Sequence, residues 1–119
     1  MVRTAPVVVC VLVPVAFVAM AQTAMSFRLD KSDRNPTSCA GGDAAMSRPQ
    51  QVTISNDVAI IASNGGINDK AKMVKAGLYH TKWSAGGITY EIDINTTASP
   101  ATMTVSEPKL GCKWTGNAS

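Results

Sequence analysis

The sequence predicts a small all-β domain, an antiparallel barrel or sandwich of about six to eight strands, held by one disulfide and preceded by a signal peptide. Three observations predict it. Residues 88 to 94 alternate apolar and polar without a break, and short apolar runs recur along the chain with turn residues between them. No stretch carries the three-to-four-residue apolar repeat of a helix of useful length.

The opening segment reads as a targeting signal. Arg3 supplies a positive start, Ala5 to Met20 carry no charge, and Ala19-Met20-Ala21 offers the small residues that a signal peptidase requires. The apolar run of about 16 residues is shorter than the roughly 20 a bilayer core demands, and Pro6 and Pro14 interrupt it, so a membrane-spanning helix is the lesser reading. Val7-Val8-Val9 before Cys10 is not the small-residue context of lipoprotein processing, so Cys10 is expected to leave with the signal. Residues 1–21 are expected to be removed, and residues 22–119 to form one periplasmic or secreted domain with no stable membrane insertion.

Along that domain, Ser26 to Asp30 alternates as a strand with one buried face. Lys31 to Gln50, with Asn35-Pro36 and Gly41-Gly42, reads as a long loop fastened at Cys39. Val52 and Ile54, the Asn56-Asp57 turn and Val58 to Ala62 form a hairpin, since Asn and Asp tolerate the positive φ that tight turns demand. After Asn64-Gly65-Gly66, Lys70 to Lys75 fits either a helical turn or a poor strand. Tyr79, Thr81 and Trp83 share one parity before Gly86-Gly87. Ile88, Tyr90, Ile92 and Ile94 then face the core, with Thr89, Glu91 and Asp93 opposite. Thr96 to Pro100 turns the chain, Ala101 to Glu107 points Met103 and Val105 inward, and Pro108 to Trp114 makes a last short strand. Trp114, two residues after Cys112, either covers the disulfide or stands out as a contact residue.

Only Cys39 and Cys112 survive signal removal. A bond between them closes a loop of about 74 residues, worth on the order of 4 kcal/mol in the chain-entropy model, a large share for a domain of about 98 residues. Two free thiols or a metal site are the lesser readings, because the domain has one histidine and no close cysteine pair. Without Arg3, ten basic residues face eight acidic ones and are spread among them, which lacks the basic patch of a nucleic-acid binder.

No grouping points to catalysis, a metal or a cofactor. His80 shares its parity with Leu78 and Lys82 and reads as a surface histidine, with no G-x-S-x-G turn for a nucleophile. Asp30, Asp33, Glu91, Asp93 and Glu107 read as solvated charges, no pair being placed as glycosidase carboxylates, and no calcium loop occurs. Asn95-Thr96-Thr97 and Asn117-Ala118-Ser119 fit the glycosylation sequon, which matters only in a eukaryotic secretory pathway.

Ser84-Ala85-Gly86-Gly87-Ile88-Thr89-Tyr90, in a small exported β-domain with a late cysteine, resembles the loop of the periplasmic C-type lysozyme inhibitors, an eight-stranded barrel family. That family has a basic residue before the tyrosine, whereas Ile88-Thr89 precede Tyr90 here, and its later Lys-Gly motif is absent. A Gly-Gly hairpin accounts for the same residues. The resemblance implies that Ser84 and Tyr90 lie near an inhibitory loop. The function expected is thus non-enzymatic binding, by a monomer, of an extracellular or envelope protein or polymer, with Ser84, Gly86, Gly87 and Tyr90 as the candidate loop. A carrier of a small apolar ligand and a structural envelope protein are the alternatives.

Overall fold

Residues 22–119 are described by a computed structural model, and the signal expected over residues 1–21 lies outside them. The chain forms β1 (Thr23–Phe27), β2 (Asp30–Lys31), a 3-10 turn (Thr37–Cys39), α1 (Ala40–Met46), β3 (Gln50–Ser55), β4 (Val58–Ala62), β5 (Asn68–Lys75), β6 (Leu78–Ala85), β7 (Ile88–Asn95), β8 (Thr102–Glu107) and β9 (Cys112–Asn117). All nine strands join one antiparallel sheet in the order β1-β3-β4-β5-β6-β7-β8-β9-β2. A two-sheet sandwich does not form. In ladder order the sheet is open, a curled half-barrel with more strands than expected.

Its two outermost strands are nonetheless successive pieces of one stretch of chain. β1 pairs with β3, and after Arg28 and Leu29 the chain continues as β2 against β9. Phe27 bridges Ala118, and the Ser119 N–H donates to the Ser26 carbonyl at 3.0 Å. The strand expected over Ser26 to Asp30 is therefore two short strands around a joint, with Leu29 turned into the core.

The alternating segments behave as their period demands. Tyr90, Ile92 and Ile94 of β7 are buried and Ile88 is half-buried, while Thr89 and Asp93 face water. Met103 and Val105 of β8 are fully buried. Lys70 to Lys75 falls within β5, whose inward Ala71 packs opposite Ala59 while Lys70 and Lys72 point out. A small inward residue between lysines hides the alternation that makes it a strand.

The segment expected to be a loop from Lys31 to Gln50 holds the one helix among the described residues. α1 has two glycines and no apolar repeat, so its stability comes from what it packs on rather than from propensity. The disulfide Cys39–Cys112, with Cα atoms 5.7 Å apart, ties its start to β9. Met46 at its end is 1% exposed. A Cβ at Gly42 would press on the Tyr90 hydroxyl at 3.0 Å and the Trp114 ring at 3.1 Å, so glycine lets the helix sit directly on these rings. α1 thus covers the end of the curled sheet formed by the end of β6, the start of β7, the end of β8 and the start of β9. The opposite end is made by the β3–β4, β5–β6 and β7–β8 connections.

Candidate functional site

The helix-covered end carries two neighbouring loops. Ala85 pairs with Ile88 across the two-residue turn Gly86-Gly87, whose φ angles of 61° and 79° are the left-handed values of a tight hairpin. A Cβ at either glycine would meet nothing within 4 Å, so this tip stands clear of the body. Ser84 Oγ and Thr89 Oγ1 lie 2.9 Å apart on the outer face just below it.

The second loop is the β8–β9 turn, and a buried carboxylate organises it. Glu107, 4% exposed, accepts the backbone N–H groups of Lys109 at 3.0 Å and Leu110 at 2.7 Å. These charge-assisted bonds fix the turn so that Leu110 stands 41% exposed. Between tip and turn lies a cleft of about 430 Å³, with Lys82, Ile88, Glu91, Pro108, Lys109 and Leu110 on its walls.

Tyr90 is not on this outer surface. It points inward, with ring centroids 5.7 Å from Trp83 and 5.9 Å from Trp114. Burial, and secondarily the Glu107 carboxylate, push its phenol above the ordinary value of 10.0. Trp114 is buried as well, and its indole N–H donates to Asp43 of α1 at 2.9 Å. Of the candidate loop residues, Ser84, Gly86 and Gly87 are exposed at the tip, while Tyr90 forms part of the floor beneath it. Cys39 and Cys112, both buried, anchor that floor.

Sequence reasoning passed over Gln50 and Asp43, which shape this end, and read Glu107 as a solvated charge, whereas the structure buries it and commits it to the turn amides of Lys109 and Leu110. Gln50 is fully buried; its amide N–H groups donate to the Ala45 and Arg48 carbonyls at 2.8 Å each, and its Oε1 accepts the Ile67 N–H at 2.9 Å. Asp43 orients Trp114, and Glu107 holds the turn. Glu107 alone left a sequence signal, an acid directly before Pro108 with Gly111 closing the turn.

His80 sits on the outer face of β6, its Nδ1 2.9 Å from Asp93 Oδ1 and its Nε2 3.9 Å from Glu91 Oε1. Both ring nitrogens thus face carboxylates. Among the described residues, no group of three His, Cys, Asp or Glu side chains is placed to hold a metal ion, and no helix is long and apolar enough to cross a membrane.

The opposite end has a cleft of its own, about 510 Å³, bordered by Met25, Ile54, Ala98, Pro100, Ala101 and Ala118. Comparison with protein-family models, with curated proteins and with solved structures finds no match to the chain.

Proposed function

We propose that this chain is an exported binding module that acts without catalysis, gripping an extracellular or envelope protein with the β6–β7 tip and the β8–β9 turn. The observation that carries the reading is the cleft between these loops. Leu110 offers an apolar anchor on its rim, Lys82 and Lys109 add positive charge, and Glu107 beneath it is committed to backbone amides. An exposed apolar residue ringed by charge on a rigid support has the anatomy of a small protein-binding surface. The floor of Tyr90, Trp83 and Trp114 under α1 supplies the support.

Photo-crosslinkers at Lys82 and Lys109, compared with one at Ala24 on the opposite end, test the surface in the natural medium or periplasm. A discrete adduct from the first two positions only, abolished by Leu110→Asp, is the expected result. Adding the oxidised domain to a lysozyme turnover measurement tests the target that the loop resemblance names; no inhibition at micromolar concentrations removes that target alone. A hydrolase activity of the protein itself that vanishes with His80→Ala or Glu91→Gln overturns the binding reading.

A second reading, carriage of a small apolar ligand, draws on the cleft at the opposite end, where Met25, Ile54 and Ala101 are only partly buried. The interior itself is filled by Phe27, Ile92, Met103 and Val105, each 0% exposed, so a ligand would have to lie in that mouth rather than inside the sheet. Displacement of an environment-sensitive apolar dye, lost in Ile54→Asp, is its test.

A further inference from the structure

We propose that Asn95 is the acceptor of an N-linked glycan whose first sugar lies over the groove between Val74 and Leu78. The inference rests on export of the chain through a eukaryotic secretory pathway, the setting in which the sequon is used, and not on the binding reading. Two independent features of the outer face carry it.

The first is the sequon itself. Asn95 closes β7, and its Oδ1 accepts both the Thr97 backbone N–H at 2.9 Å and the Thr97 hydroxyl. Asn95-Thr96-Thr97 is thereby folded into a side-chain-capped turn at a strand end. Among the described residues the Asn95 Nδ2 donates no hydrogen bond, so it is the unengaged atom of the amide. Its outward direction follows from the ladder. Asn95 pairs with Leu78 on one side and Thr102 on the other, and its sequence neighbour Ile94 points into the core.

The second is an apolar surface beside it that nothing in the fold covers. Val74, at the irregularity in the β5–β6 ladder between Met73 and Lys75, is 65% exposed, the most exposed large hydrophobic among the described residues. With Leu78, Thr102 and Thr104 it borders a groove of about 300 Å³ that Asn95 also lines. The C–H face of a sugar on Nδ2 would cover Val74 while its hydroxyls meet the threonines, and a bulky solubilising group at this point hides an apolar edge from other chains. The other sequon, Asn117-Ala118-Ser119, lacks this setting, because its Ala118 and Ser119 N–H groups are bonded to the Ala101 and Ser26 carbonyls in extended chain.

In the transfer, Asn95 Nδ2 attacks the anomeric carbon of a lipid-pyrophosphate-linked oligosaccharide. The C1–N bond forms as the C1–O bond breaks, the lipid pyrophosphate leaves with that electron pair, and the proton that Nδ2 gives up balances the departing pyrophosphate.

Translation of the full chain with endoplasmic-reticulum microsomes tests the assignment. The expected product is a protease-protected chain carrying one endoglycosidase-sensitive increment that is lost in both Asn95→Gln and Thr97→Ala and kept in Asn117→Gln. A protected chain without glycan at Asn95 overturns the acceptor, and an unprotected chain overturns export and the proposal with it. Enzymatic removal of the glycan should lower the melting temperature of the wild type more than that of Val74→Ser; equal shifts overturn the packing on Val74.

Discussion

The two ends of the curled sheet are closed by different means. At the helix-covered end, a disulfide, a buried Gln50 with three hydrogen bonds, the Trp114–Asp43 bond and the Glu107-capped turn all join residues far apart in sequence or buried deeply. At the opposite end, tight connections such as Asn56-Asp57, with Asn56 at φ 59°, turn the strands back, and Met25, Ile54 and Ala101 remain partly open. A covalent cross-link and buried polar side chains hold one end, while the other is held by turns, by backbone bonds such as the Thr96 N–H to the Gly77 carbonyl at 2.8 Å, and by incomplete apolar burial. Loops that must present a fixed surface belong on the first kind of end.

The most severe way to break this contrast is to remove the staple. Cys39→Ser with Cys112→Ser should lower the unfolding free energy by about 4 kcal/mol, read from guanidinium denaturation, with a red-shifted Trp114 emission as α1 lifts. A loss under about 1 kcal/mol would mean that the covered end owes nothing to its bond. Between the two ends, Ile92→Ala should cost about 3 kcal/mol and the outward Thr89→Ala no more than about 1 kcal/mol; matching losses would place the wrong face inward.

Gln50→Ala separates the ends directly. It leaves the Ile67 N–H and two carbonyls of the α1 exit without partners, a loss of about 2 kcal/mol, whereas Ile54→Ala in the half-open mouth should cost about 1 kcal/mol. The reverse order in urea melts would invert the comparison. The subtlest sign is pH-dependent. Because the folded protein holds the Tyr90 proton above the ordinary value of 10.0, the unfolded chain ionises first as pH rises. Stability should therefore be unaffected by this group below pH 10 and should fall above it, and Tyr90→Phe should remove that part of the slope.

What the sequence made legible follows the same division. The β6–β7 hairpin and β8 have strict period-two patterns with large inward side chains, and the structure keeps their parity. The disulfide was legible because only two cysteines remain after the expected cleavage. α1 was not, because its stability lies in Gly42 meeting Tyr90 and Trp114, partners some fifty and seventy residues distant. Gln50 was invisible for a related reason, since a buried amide is chosen by the carbonyls around it and not by its neighbours in sequence. The hairpin tip could be located, but the direction of Tyr90 beneath it depended on placing the aromatic floor.

The joint at Arg28 and Leu29 also governs when the fold can be completed. β1 finds β3 about two dozen residues later, but β2 has no partner until Cys112–Asn117 exists. A chain delivered N-terminus first must keep β2 waiting while β3 to β8 are made, and the disulfide has the same late appointment. Such long-range pairing slows folding and delays closure of the sheet until β9 has been made. Nascent chains stopped before Cys112 should therefore leave β2 open to proteolysis while β3 to β7 already resist it, which pulse digestion of stalled chains can read.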